Sequence, residues 1–382
     1  MANAYVTGVS KTRFGPTTKT IPMLLQEAAL AALADAELSI SDIDAVVVAN
    51  FLGGPNEKQL HLNAVFAGVF PQTNLPVWRV EGACASGGIA VHNAIAQLAH
   101  YPRILVIGIE KLSDIGGLEL TRNIGMAGDA LLDQPYGLTF PATYALVAQA
   151  YFGAYDATHA DLELVSYKNH CNANRNPLAH FYHKTVTREE IAGSPEVATP
   201  LQLFDCCPVS DGAAAVIIES KPRTVSSVPI LASSLMTDVI SLGQRETATA
   251  FKSTQLAAKN AYNQAGLTPA DIDFAEVHDC FTVAELVAIE DLGLAEPGQA
   301  ARITREGDTQ PDGRLPINNS GGLKAGGHAI GATGISQIYE LVQQLRGTAD
   351  KRQLERVRYG LAQNVGGAGG TCTVHILGGV HE

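Results

Sequence analysis

Two rhythms of apolar and polar residues alternate along the chain. Unbroken apolar runs of strand length, Ile43 to Val48 and Ile104 to Ile109, follow longer amphipathic stretches at about Pro22 to Glu37 and about Ser86 to His100. The short runs predict buried strands and the longer ones helices. Strand and helix in alternation predict an α/β fold with largely parallel strands.

The rhythm also repeats. Ala36-Glu37-Leu38-Ser39-Ile40-Ser41-Asp42-Ile43-Asp44 is echoed by Ala265-Gly266-Leu267-Thr268-Pro269-Ala270-Asp271-Ile272-Asp273. Cys84-Ala85-Ser86-Gly87, ahead of a helix and a strand, is echoed by Gly331-Ala332-Thr333-Gly334, ahead of a helix over Ile335 to Leu345 and a strand over Val357 to Leu361. Two echoes in the same order predict an internal duplication. Between the copies, roughly residues 120–205 turn aromatic and polar, which predicts an inserted lid or loop region. Its cations Lys168, Arg175, Lys184 and Arg188 are candidates to hold an anionic ligand, with a solvated surface as the alternative.

Composition narrows function more than fold. At 382 residues, 46% apolar and 17% charged, the chain suits a well-buried enzyme of two to three domains or one large duplicated one. A net charge of −12 without any Lys/Arg-rich run excludes a general nucleic-acid binder. Six cysteines without a C-x-x-C pair argue against a zinc ribbon and for reduced thiols in a cytoplasmic compartment. The opening segment Met1 to Val9 reads as a first strand with no signal peptide, and no apolar run reaches membrane length. His180 and His183 lack further ligands at metal-binding spacing, so no metal is expected.

Cys84 stands in Val80-Glu81-Gly82-Ala83-Cys84-Ala85-Ser86-Gly87-Gly88, directly ahead of a helical pattern. Helix N-terminal amides favour an anion, so a thiol there can fall below its usual pKa of about 8.5 and act as a nucleophile. The alternative is a small apolar residue filling a tight packing site. Three further segments carry reactive groups among small residues: His278-Asp279-Cys280-Phe281, the run Asn318 to Gly331 with His328, and Asn364-Val365-Gly366-Gly367-Ala368-Gly369-Gly370. Taken singly, each could serve packing or tight turns. Together they offer a thiolate, a base near neutral pH, a second proton-transfer group and backbone N–H donors, which is what acyl transfer at a thioester needs.

In this order the segments resemble the signatures of the thiolase superfamily, and His278-Asp279-Cys280-Phe281 resembles its sterol-carrier-protein-type branch. The resemblance implies a five-layered αβαβα fold built from two βαβαβαββ halves. The N-terminal half would span 1–119, completed by 206–225; the insert would span 120–205 and the C-terminal half 226–382. It also implies roles. Cys84 would be the acylated nucleophile, His328 its base, and Cys280 the acid/base at the enolate and at the incoming CoA thiol. His278, with a water and His328, would stabilise the enolate, while the N–H groups of Cys84 and Gly366 would form the oxyanion hole. Many thiolases carry a cysteine where this chain has Asn364, so Cys280 would supply the second thiol.

The implied reaction is CoA-dependent cleavage of a 3-ketoacyl-CoA to acyl-CoA and acetyl-CoA, or the reverse Claisen condensation. Acyl-CoA and CoA would be substrates, with no metal or other cofactor. A homodimer or homotetramer is expected from the resemblance. Alternatives are a ketoacyl synthase or aldolase on the same fold, or an acyl-CoA-handling subunit with a zinc-ribbon OB-fold partner.

Overall fold

The computed structural model describes residues 3–71, 73–355 and 357–379. The first half runs β1 (Tyr5–Lys11), α1 (Ile21–Asp35), β2 (Ala45–Ala49), α2 (Leu62–Val69), β3 (Val77–Val80), α3 (Ser86–Gln97) and β4 (Arg103–Glu110). Then come α4 (Gly117–Gly125), α5 (Phe140–Ala154), α6 (His159–Ala173), α7 (Arg188–Ala192) and the short pair β5 (Glu196–Ala198) and β6 (Leu201–Gln202), before β7 (Gly212–Glu219) closes the half. The second half runs β8 (Val228–Thr237), α8 (Lys252–Ala265), β9 (Phe274–Glu276), α9 (Thr282–Asp291), α10 (Ala300–Arg305), α11 (Gly322–Gly326), α12 (Thr333–Leu345), β10 (Tyr359–Gly366) and β11 (Thr371–Gly378).

The duplication is visible in the strand order. The first sheet reads β3-β2-β4-β7-β1 and the second β8-β11-β10-β9, with a short β1–β8 pairing between them. Read outward from that join, β8, β11, β10 and β9 take the places of β1, β7, β4 and β2. Ile317, bridged in parallel to Ala275 of β9, stands where β3 would be. The first sequence echo is a 3-10 turn in each half, Ile40–Asp42 and Pro269–Asp271. In each, an aspartate two residues into the turn accepts the N–H of the preceding Ser39 or Thr268 at 2.8 Å.

Five layers follow from which faces are apolar. Helices α1 and α2 cover the outer face of the first sheet, α8 and α9 that of the second, and α3 and α12 lie between the sheets. Two expectations are corrected. In the main sheet, five of the eight pairings are antiparallel, because each half ends in two strands with no crossover helix packed between them. The insert carries helices α5, α6 and α7 between its loops, which the sequence did not mark: α5 buries Tyr144, Val147, Ala148 and Tyr151, an alanine- and tyrosine-rich face with weak aliphatic periodicity.

Strand β11 tethers α3 through His375, whose Nε2 lies 3.2 Å from the Gly88 carbonyl. Burial, with a smaller push from His92, pulls the His375 pKa down to about 3. The folded ring thus stays neutral to about pH 3, while the unfolded ring takes a proton near 6.5. Below pH 6.5 the unfolded state binds more protons, so this group costs stability as pH falls. His375→Gln is expected to flatten the fall in unfolding free energy by up to about 1.4 kcal/mol per pH unit between about pH 6 and 4. Denaturant unfolding of both proteins across that window measures it, and equal slopes would refute it.

Candidate active site

Cys84 sits at the top of a tight turn between β3 and α3. Ala83 takes a left-handed φ of 52°, unusual for a residue with a Cβ. Ser86 holds that turn: its hydroxyl donates to the Ala83 carbonyl at 2.6 Å and accepts the Gly82 N–H at 3.0 Å. His328 comes from the loop after α11, where Gly327 at φ 104° lets the chain pass between Phe14 and Ser210. His278 follows β9 and is fixed through its own N–H to Gln363 Oε1 at 2.8 Å.

These three converge. The Cys84 sulfur and one ring nitrogen each of His278 and His328 lie within 4.8 Å of one another, all buried. The rings meet edge-on, 5.2 Å apart at 85°. Cys280 lies beside this group, at the start of α9, close enough to Cys84 and Cys207 for their charges to be felt. The sequence therefore predicted a set that folding brings to one place.

The electrostatics differ from the sequence expectation. Burial pushes the Cys84 thiol up to about 12, and Glu110 and Glu81 add to the rise. The amides of Gly367 and of Cys84 itself oppose it without prevailing. The helix does less than expected because α3 begins at Ser86, and its Gly88 N–H is given to Asn364 Oδ1 at 3.1 Å. His328 is pulled down to about 3 by burial, and His278 lies well below its usual value through burial and the neighbouring His328. The resting pair is thus a neutral thiol and a neutral imidazole. Burial, then Cys207 and Cys84, holds the Cys280 thiol well above its ordinary pKa.

The amide that reaches the Cys84 sulfur is that of Gly367, where the turn after β10 starts with φ 62°; Gly366, whose amide is expected at the acyl oxygen, is the last residue of β10. Lys168 is not available to a CoA phosphate: it is fully buried, with Nζ 2.6 Å from Glu285 Oε1 and 2.8 Å from the Ile317 carbonyl. Arg175, Lys184 and Arg188 are exposed. Arg175 opens on a groove of about 1090 Å³ whose lining includes none of the four reactive residues, and Lys184 lies over the Phe181 ring.

Other residues at the site were given no role by the sequence. Tyr144 of α5 is wholly buried, donates its hydroxyl to the Gly367 carbonyl at 3.1 Å, stacks on Phe281 and adjoins the Cys280 thiol. A tyrosine in an alanine-rich helix reads as core. Asp279 accepts the Leu323 and Lys324 amides, at 2.6 and 3.2 Å, tying the Cys280 segment to the loop that carries His328. Glu110 does the same for the other side, accepting Gly331 N–H at 2.9 Å and Leu52 N–H at 2.9 Å.

Residues 4–222 match the thiolase N-terminal domain, and residues 234–379 match the thiolase C-terminal domain-like family. An acetyl-CoA acetyltransferase of Methanothermobacter thermautotrophicus is 42% identical, over 99% of this chain and 100% of its own length. Human sterol carrier protein 2 is 33% identical over 96% of this chain and 70% of its own. Among solved structures, the Ltp2-ChsH2(DUF35) aldolase superposes with a TM-score of 0.85 at 25% identity, covering 100% of this chain and 99% of that one. Two family matches that divide the chain as its duplicated halves do, and full-length likeness to an acetyltransferase, make this chain an acyltransferase belonging to the thiolase family.

Proposed function

We propose that this chain interconverts 3-ketoacyl-CoA plus CoA with acyl-CoA plus acetyl-CoA, by ping-pong transfer through an S-acyl Cys84. The convergence of Cys84, His278 and His328 within 4.8 Å, with Cys280 alongside, carries this reading. In the cleavage direction Cys84 Sγ gives its proton to His328 as it attacks the 3-keto carbon, and the oxyanion settles on the Cys84 and Gly366 amides. The bond between C2 and C3 breaks, leaving the acyl group on sulfur. His278 donates to the departing enolate oxygen while Cys280 protonates its carbon. The incoming CoA thiol returns a proton to Cys280, attacks the acyl carbonyl and frees Cys84, which recovers its proton from His328. Every proton and bond is accounted for by these groups, so no metal or cofactor beyond CoA enters the proposal.

The aldolase reading has the TM-score of 0.85 in its favour, yet a retro-aldol cleavage has no use for a buried thiol between two imidazoles. As partners we propose further copies of this chain, a homodimer or homotetramer, and a small zinc-ribbon OB-fold protein; the name Ltp2-ChsH2(DUF35) of the structural neighbour, which joins two proteins, supports a partner of some kind. Six unpaired cysteines support a reducing, cytoplasmic setting, and among the described residues no helix is long and apolar enough to cross a membrane.

Acetoacetyl-CoA supplied with and without free CoA tests the proposal. Cleavage that depends on CoA and yields acetyl-CoA is expected. Absence of CoA-dependent cleavage of any 3-ketoacyl-CoA would remove this reading, and CoA-independent cleavage of a 3-hydroxyacyl-CoA to an aldehyde or ketone plus an acyl-CoA would replace it with the aldolase one.

A further inference from the structure

Two imidazoles face one sulfur, and what each can do depends on which ring nitrogen holds its proton. The surrounding hydrogen bonds decide this. Asn364, on β10, sets Oδ1 3.1 Å from the Gly88 nitrogen and Nδ2 2.9 Å from the Cys84 carbonyl oxygen. A backbone N–H only donates and a carbonyl only accepts, so the side-chain amide has one allowed orientation. The same Nδ2 lies 3.2 Å from His278 Nδ1. It presents an N–H there, so His278 Nδ1 must accept, and the single proton of the neutral ring is left on Nε2. That Nε2 is buried without a hydrogen-bond partner among the described residues.

His328 is held the opposite way. Its Nδ1 lies 2.7 Å from Thr333 Oγ1, which is 3.1 Å from the Ala329 carbonyl. The hydroxyl has one proton, and giving it to the carbonyl leaves the oxygen free to accept from His328 Nδ1. Both contacts are then made, whereas the reverse arrangement makes only one. His328 is left with an open lone pair on Nε2.

We infer that Asn364 is a positioning residue that locks His278 as the Nε2–H tautomer, so that of two like rings His278 is the donor and His328 the base. This explains why the asparagine suits a position where the resemblance expects a cysteine: one thiol cannot serve Gly88, Cys84 and His278 at once. The inference rests on the proposed function only for the purpose of the donor; the proton's position follows from the contacts themselves.

The test reads the proton directly and not through activity. In protein labelled with 15N-histidine, long-range 1H–15N correlation spectra at pH 7 report each ring's tautomer, and His278→Gln identifies the His278 signals. We expect a pyridine-like shift for Nδ1 and a pyrrole-like shift for Nε2. Asn364→Asp, which offers an acceptor where the N–H stood, is expected to exchange the two, and Asn364→Ala to average them. A wild-type ring protonated on Nδ1, or a pattern unmoved in both folded variants, would overturn the inference. Should neither variant fold, the wild-type spectrum alone decides. Acyl transfer to Cys84 could stand or fall separately, since it is measured by mass.

Discussion

Cys84→Ala is expected to lower kcat by about 10⁴-fold or more and to leave no acyl adduct after incubation with acetyl-CoA or acetoacetyl-CoA. The size of the effect follows from how the thiol is held. With Cys84 near 12 and His328 near 3, the free site stores no thiolate. The proton therefore leaves sulfur only as the new carbon–sulfur bond forms. The Cys84 sulfur lies within 4.8 Å of a ring nitrogen of each of two imidazoles. Tryptic mass mapping of wild type and variant checks this: an acyl group on the Cys84 peptide, absent in the variant, is the expected pattern. Retained turnover, or an adduct on another cysteine, would remove Cys84 from the mechanism.

Cys280→Ala is expected to separate the two halves of the reaction. Acetyl-CoA should still acylate the Cys84 sulfur, while making or breaking the carbon–carbon bond falls by about 10²- to 10⁴-fold, the usual range for loss of a placed acid/base. Burial keeps the Cys280 thiol protonated across the physiological range, which suits a group whose first task is to give a proton to an enolate carbon. The mass of the acetylated Cys84 peptide after incubation with acetyl-CoA measures the first half, and acetoacetyl-CoA cleavage measures the second. Equal loss in both assays would mean that Cys280 supports the site's structure instead of moving a proton, and full cleavage would discard its role.

How much of this was legible before folding depended on whether the relevant physics was local. The capped turns at Ser39 and Thr268 depend on residues three apart, so their repetition appeared in the sequence as an echo and marked the duplication. Cys84, His278, Cys280 and His328 sit in small-residue segments dense enough to recognise. The helix at Phe140–Ala154 was not legible, since its buried face is built from alanine and tyrosine, which do not mark a helical period strongly. Lys168 read as a surface cation because its buried partners, Glu285 and the Ile317 carbonyl, lie more than a hundred positions away. The thiol's acidity was misjudged for a related reason: a helix start is local, but the burial that outweighs it is not. Asn364 showed in the sequence only as a missing cysteine, and its use emerged from three partners in two separate segments, Cys84 and Gly88 in one and His278 in the other.

The seam between α3 and α12 constrains how substrate arrives. A Cβ added to Gly87 would lie 2.8 Å from the Gly334 nitrogen, and one added to Gly334 would lie 2.2 Å from the Gly88 nitrogen. Backbone there touches backbone, with no side chain between them to slide or repack. The nucleophile's helix belongs to one half of the chain and the base's helix to the other, yet at this seam they form a single rigid strut. Hinged parting of the halves would have to break it. A thioester must then reach the sulfur without the two halves parting.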